Sequence, residues 1–550
     1  MTGFLFFSII VLACVPPVSK DALVHHLAVP KLYLKHGKIY EIPFMPFSYY
    51  PMNLDMLYLI PLYFGNDIIP KYIHFSFALL TGLCIFEYLR RRTRLVYGLG
   101  GFLFFLSIPI IVKLSITAYV DLGLIFFSTA SLLLLLRWIA SGFKWRFLIL
   151  SAILCGLATG TKYNGLITLF LLTLFVPFFY SKLNRERRPN FMQSAGRGVV
   201  FFLTAVTIFS PWAVKNYKWT KNPIYPLHDK WFNPPEVLPA PPEEEASGKK
   251  VKRGLLTDRF LMYGETSWEI ALLPLRVFFQ GKDGNPQYFD GKLNPMLLFL
   301  PVFAFFGRRE DNETIRSEKR ILLAFAVLFF GFTFFSYALR IRYISPIIPP
   351  LVILAVLGMK NMIDTATKIQ NRIWKKPIIL VIAGSGIFSL WLNAYYIYQQ
   401  YKEVAPVGYL MGSVSRDEYI DRYRLEYPAI RYINESLPDD AKIMFIFLGK
   451  RGYYCNKDYE LGNGNFRAAI KNAAFPGQFF SALKKKGFTH LLIRYDIFDK
   501  WRKDRYLFSD KQQSLLEQFM SRFTRLLFFK WGYGVSRLED KSLAVNESTT

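Results

Sequence analysis

The polar residues able to do chemistry fall on one side of the membrane that the chain's own apolar runs predict. They are Asp21 with His25 and His26, Asp121, Lys162 with Tyr163, Asn216, and the pair Arg340 and Arg342. A carboxylate can accept a proton from a bound hydroxyl, which is the task of a general base. Lysine holds a phosphate as a point charge and arginine as a bidentate fork. Carboxylates, cations and amides gathered at one face therefore predict a site for an anionic, lipid-carried substrate.

Each residue also has a bland reading. Asp21 directly follows the first apolar run, and His25 shares its face if Ala22 to Val29 is helical. The alternative is a helix cap at the membrane surface, with His25 and His26 as interfacial packing. Asp121 stands between two apolar runs, where an ionised side chain is costly unless paired or hydrated. Its alternatives are a functional carboxylate and an interface anchor. Lys162, Arg340 and Arg342 sit where the positive-inside tendency would not put cations, which favours anion binding over snorkelling. Tyr163 and Asn216 join the two histidines as expected substrate contacts.

The elements that must position these groups follow from composition. The chain has 550 residues, 52% of them hydrophobic and 17% aromatic, which excludes an ordinary soluble protein and predicts an α-helical multipass membrane bundle. About eleven apolar runs of transmembrane type alternate with loops rich and poor in Lys and Arg. The net charge of +28 sits in those short loops and in the C-terminal third, so topology and anionic lipid explain it better than nucleic acid. The runs are roughly 4–18, 72–89, 95–112, 122–136, 147–158, 166–180, 198–212, 295–306, 321–337, 344–357 and 378–395. Basic clusters such as Arg90-Arg-Arg-Thr-Arg94 mark the cytoplasmic side. Two stretches in the first outer loop, Leu23 to Leu34 and Leu54 to Phe64, and Trp268 to Phe279 in the second, are too short to span and predict interfacial helices.

Within the second outer loop, Pro239-Ala-Pro-Pro-Glu-Glu-Glu-Ala-Ser-Gly-Lys-Lys250 is of low complexity. It predicts a hinge beside a mobile lid, or a tolerated surface insertion. From about Gln399 the composition becomes that of a soluble domain. Lys442 to Leu448 and Thr489 to Arg494 predict strands, and Gly477 to Lys486 a helix. The expected division is a membrane domain over 1–398 and a small α/β extracytoplasmic domain over 399–550.

Familiar motifs are absent. Gly160-Thr-Lys162 lacks the spacing of a phosphate loop, and no dinucleotide fingerprint, zinc-protease helix or serine elbow occurs. The four cysteines form no framework or ligand set. Chemistry must come from scattered polar residues.

Those residues occur in a recognisable order. Asp21 through Pro30 and Lys31, Tyr50-Pro-Met-Asn-Leu-Asp55, Tyr119-Val-Asp121, Gly156-Leu-Ala-Thr-Gly-Thr-Lys162, Pro211-Trp212 through Asn216, Asn222-Pro-Ile-Tyr-Pro226, and Arg342-Tyr343 with Pro346 and Pro349 together resemble the GT-C class of integral-membrane, polyprenol-phosphate-dependent glycosyltransferases. Protein mannosyltransferases and lipid A aminoarabinose transferases belong to that class. The resemblance covers about Asp21 to Leu357. It implies that Asp21 activates the acceptor and that Lys162, Arg340 and Arg342 hold the donor phosphate. Many relatives carry an Asp-Glu pair where this chain has Asp21-Ala22, so Asp121 or Glu41 is the expected second carboxylate. The need for a divalent metal ion is left undecided.

The expected function is transfer of a sugar from a polyprenyl-phosphate donor to an extracytoplasmic hydroxyl on a lipid, polysaccharide or protein, with inversion. The expected partners are that donor, membrane lipid and the acceptor, with no nucleic acid, and the expected location is a bacterial inner membrane. The rival reading is a transporter of a lipid-linked saccharide, which should carry polar residues through the whole membrane depth. A third reading makes the C-terminal domain the working part.

Overall fold

The computed structural model describes residues 2–184, 189–234, 255–306, 313–334, 339–370, 372–504 and 506–541. The expected low-complexity hinge lies outside the described residues. The chain forms two compact units. One comprises 1–14, 49–61 and 68–406, and the other 15–48, 62–67 and 407–550.

The first unit is helical, and a helix stands at each predicted apolar run. Among the described residues six are long and apolar enough to cross a membrane: Ile69–Arg92, Asp121–Ala140, Gly165–Leu183, Phe191–Thr220, Ile341–Thr367 and Lys375–Val404. A seventh arises if Leu95–Ser107 and Pro109–Ser115 count as one span, though they bend by 66°. Proline causes the bend. Pro109 lacks an N–H, and the residue before it, Ile108, is extended at φ −57° and ψ 131°, as a pre-proline residue prefers. The first helix likewise ends at Ala13, short of the predicted Val18, because Pro16-Pro17 follows. In the most apolar stretch of each, 89% of residues are buried in Ile341–Thr367 and only 17% in Lys375–Val404. The former is therefore a central helix, and the latter leaves its apolar side to lipid.

Small residues bring these helices together. A Cβ on Gly156 would lie 2.4 Å from the Ala205 carbonyl oxygen, so only glycine lets Trp145–Thr161 and Phe191–Thr220 approach this closely. The hairpin between Trp145–Thr161 and Gly165–Leu183 is tight for the same reason. A Cβ on Gly165 would meet the Ala158 carbonyl at 2.5 Å.

The second unit is built on a five-stranded mixed sheet of order β2-β1-β3-β5-β4. The strands are β1 (Lys442–Ile446), β2 (Asp458–Leu461), β3 (His490–Arg494), β4 (Thr524–Lys530) and β5 (Tyr533–Leu538). The first three are parallel, and β5 runs antiparallel to both β3 and β4. β4 and β5 meet at Trp531-Gly532, both with positive φ, which suits a two-residue hairpin turn. Helices Asn463–Asn472, Pro476–Lys485 and Asp510–Phe523 cover the sheet through a core that includes Met444, Phe466, Phe479, Leu491 and Phe519. This unit also contains Val15–Ser48, which follows the first helix. Ala22–His26 forms a single π-helical turn and Ala28–His36 an α-helix.

Candidate functional site

In the first unit, Lys162 lies in the hairpin turn with an extended backbone, and Asp121 opens helix Asp121–Ala140. The Lys162 ammonium donates to Asp121 Oδ1 at 2.6 Å. Asp121 is fully buried, while the Lys162 side chain keeps 17% exposure. A buried carboxylate is costly unless compensated, and Lys162 supplies the compensation. Asp121 Oδ2 has no hydrogen-bond partner among the described residues.

The turn that presents Asp121 is pinned from behind. His74 Nε2 accepts from the Leu122 N–H at 2.9 Å, and Nδ1 faces the carbonyls of Thr117 at 2.8 Å and Leu114 at 3.0 Å. Carbonyls only accept and the Leu122 N–H only donates, so the imidazole is held with its proton on Nδ1. Tyr58 adds a hydrogen bond to the Tyr119 carbonyl.

Three cations converge on one aromatic ring. The charged groups of Lys162, Arg342 and Arg340 lie 5.2, 5.3 and 5.9 Å from the centre of the Tyr343 ring. Arg342 also lies 5.5 Å from the Tyr119 ring. Such contacts are electrostatically favourable at these distances, and three like charges around one ring can together receive a phosphate.

An acidic loop meets the same group. Asp290 lies 3.6 Å from Arg340 and 3.3 Å from Lys113, which also reaches Asp283 at 3.1 Å. Tyr396 donates to Asp283 at 2.6 Å. Burial alone would raise the Asp290 carboxyl, but Lys113, Arg342, the Gly284 N–H and Arg340 outweigh it and hold it below the usual carboxylate range.

Tyr163 and Asn216 are also brought together. The Asn216 amide donates to the Tyr163 hydroxyl at 2.9 Å, which donates to the Tyr225 carbonyl at 2.8 Å. Asn216 Oδ1 has no partner among the described residues. Burial pushes the Tyr163 hydroxyl well above its ordinary pKa, so it acts as a donor rather than a charge. Nearby, Lys215 lies between Trp212 at 4.8 Å and Trp219 at 5.0 Å. Asn53 Oδ1 accepts from the Trp212 indole at 2.7 Å, and a Cβ on Gly160 would come 2.2 Å from the Asn53 amide.

Asp21, His25, His26 and Glu41 belong to the second unit. Asp21 is half-buried and makes no side-chain cap to the turn that follows, so the cap reading is not realised. The expected α-helix from Ala22 is instead a π-turn, closed by the Leu27 N–H on the Ala22 carbonyl at 2.9 Å. Turns of this type recur at functional sites. His25 stacks on Phe47 at 4.5 Å and packs against His26 at 3.9 Å.

Sequence reasoning did not single out Asp290, Lys113 or His74, and it named Tyr343 only as part of the residue order shared with GT-C glycosyltransferases. Lys113 did carry a signal, as a lysine inside an apolar run. Among the described residues no group of three or more His, Cys, Asp or Glu stands together as a metal ion would require, and all four cysteines are free.

Residues 25–217 match the family model described as dolichyl-phosphate-mannose-protein mannosyltransferase. The fold is similar to that of ArnT from Cupriavidus metallidurans in the apo state, at 14% identity and a TM-score of 0.58, covering 98% of this chain and 96% of that one. It is similar to the same protein bound to undecaprenyl phosphate, at 14% identity and 0.56, covering 98% and 97%. The archaeal oligosaccharyltransferase AglB from Archaeoglobus fulgidus, in complex with an inhibitory peptide and a dolichol-phosphate, gives 13% identity and 0.47, covering 97% and 74%. No curated relative matches. The fold is thus ArnT-like, a multipass helical membrane architecture with a small C-terminal sheet domain.

Proposed function

We propose that this protein transfers a sugar from a polyprenyl-phosphate donor to a hydroxyl group of an extracytoplasmic acceptor, with inversion at the anomeric carbon. The observation that carries this reading is the convergence of Lys162, Arg340 and Arg342 on Tyr343. The leaving group of such a donor is itself a phosphate. Fixed cations stabilise the charge that grows on it as the glycosidic bond breaks. The acceptor oxygen attacks from the opposite face and loses its proton to a base.

We assign the base to Asp21, supported by the residue order that the chain shares with GT-C glycosyltransferases and by its half-buried place at the start of the π-turn Ala22–His26. Asp121, fully buried against Lys162, acts through that lysine by holding its charge in place. Tyr163 and Asn216 offer hydrogen bonds to sugar hydroxyls, and His25 and His26 flank the acceptor side. The protein acts in the bacterial inner membrane, with this chemistry and the C-terminal domain on the extracytoplasmic side.

The test is transfer by purified protein in detergent, given a panel of radiolabelled polyprenyl-phosphate sugars and a membrane extract, before and after chelation of divalent cations. Label in product with the wild type and not with Asp21→Asn supports the assignment and identifies the donor. The chelated arm decides whether a divalent ion takes part. Folded wild-type protein that transfers from no donor would favour lipid-linked saccharide transport instead.

A further inference from the structure

The second unit holds the segment around Asp21 from both sides. Before Asp21, the Tyr454 hydroxyl donates to the Pro17 carbonyl at 2.8 Å, and the Arg424 guanidinium donates to the Val18 carbonyl. After it, the Tyr453 N–H donates to the Leu23 carbonyl at 3.2 Å. Lys31 then closes the grip. Its ammonium donates to the Tyr453 carbonyl at 2.8 Å, the Cys455 carbonyl at 3.2 Å and the Asn456 side chain at 2.7 Å. One turn on, Lys35 pairs with Asp458 at 2.6 Å.

An ammonium has three donors, and all three of Lys31's are taken by one short loop. That loop, between β1 and β2, is itself braced. Asn434 donates to the Tyr454 carbonyl at 2.9 Å and accepts from the Asn456 N–H at 2.8 Å. The loop follows the carboxyl end of a parallel strand, where open α/β sheets commonly take their ligands. Here it takes a segment of its own chain. Burial lowers the Lys31 ammonium to about 8, with Lys35 acting in the same sense and Cys455 and Asp67 opposing. Burying a charge against backbone carbonyls in this way costs stability that a solvated lysine would not.

We infer that Lys31, seated in the 453–456 loop of the C-terminal domain, is a positioning residue that fixes the Asp21 segment for transfer. The inference rests on the reading of Asp21 as the acceptor base. A displacement of about 1 Å in a reacting group lowers rates by roughly a hundredfold, so releasing this grip should act on turnover rather than on donor binding.

The experiment compares full-length wild type, Lys31→Met, Lys31→Arg, Asn456→Ala and Asp21→Asn in the transfer assay, with hydrogen exchange over residues 17–35. Lys31→Met should lower kcat by roughly ten- to a hundredfold, leave donor KM within about twofold, and raise exchange in that segment. Lys31→Arg, keeping charge and donors, should recover most of the rate. Asn456→Ala removes one acceptor from the far side and should lower kcat by a few-fold. Wild-type kcat in Lys31→Met beside an inactive Asp21→Asn would overturn the positioning role while sparing the base. Wild-type rates in Asp21→Asn would remove the base reading itself. If Lys31→Met does not fold, Asn456→Ala decides: unchanged kcat and unchanged exchange overturn the inference.

Discussion

Lys162 in the first unit and Lys31 in the second are held in opposite ways. In the membrane unit, Asp121 and Lys162 compensate each other inside an apolar bundle, and Asp290 neutralises Arg340 and Lys113. In the second unit, Lys31 is satisfied by two backbone carbonyls and an amide, with no carboxylate in its hydrogen-bond shell among the described residues. A bundle surrounded by lipid must cancel charge locally, because no water is at hand to solvate it. Lys31 lies outside the membrane-spanning helices, where a cation can serve shape instead. The first arrangement suits holding an anionic donor, the second suits aiming a loop.

The largest effect that would test this contrast is at Asp21. Asp21→Asn should reduce transfer by about a thousandfold or more, since general-base help is commonly worth that much, while leaving donor binding unchanged in a filtration assay.

Next comes Lys162→Ala, which leaves the Asp121 carboxylate buried without its cation. Breaking a buried pair costs roughly 3–5 kcal/mol, so its thermal midpoint should drop clearly. Adding Asp121→Asn should restore most of that stability but not donor use. Restored donor use in the double variant would refute the phosphate role of Lys162.

Asp290→Asn should have a smaller effect of the opposite sign. Freed of its neighbour, Arg340 binds the donor phosphate more strongly, and donor KM falls by a few-fold at low salt, as expected for one ion pair at partial exposure. A raised KM would mean that Asp290 positions Arg340 rather than competing for it.

The smallest effect lies in the sheet. Burial, aided by Arg537 and Lys484, lowers His490 from its usual value to about 4, so the folded unit keeps the imidazole neutral. The unfolded chain binds the extra proton from about pH 6.5 downward. The stability contribution is therefore complete above that pH and is lost as pH falls towards 4. His490→Gln should flatten the pH dependence of unfolding over that window, and an unchanged slope would assign it to other groups.

Much of this was legible in the sequence, and particular residues show why. Hydropathy finds helices in lipid because backbone groups there must bond internally, so every apolar run became a helix. Pro109 is in plain view, yet its 66° bend was missed because the run was scored only for hydropathy. Asp121 and Lys162 were both singled out, but not as partners. They are 41 residues apart, and only the packing of Asp121–Ala140 on the hairpin joins them. Asp290 was invisible, being one carboxylate in a long loop.

The sequence by itself determined the class of protein, the helices, the strands at 442–446 and 490–494, and the residue types that can bind a phosphate or take a proton. Each of these depends on local composition and periodicity. The tertiary structure alone decided which charges meet and which loop seats Lys31. Those pairings join residues 41 and more than 400 positions apart, where no local rule reaches and only the shared burial of distant segments selects the partner.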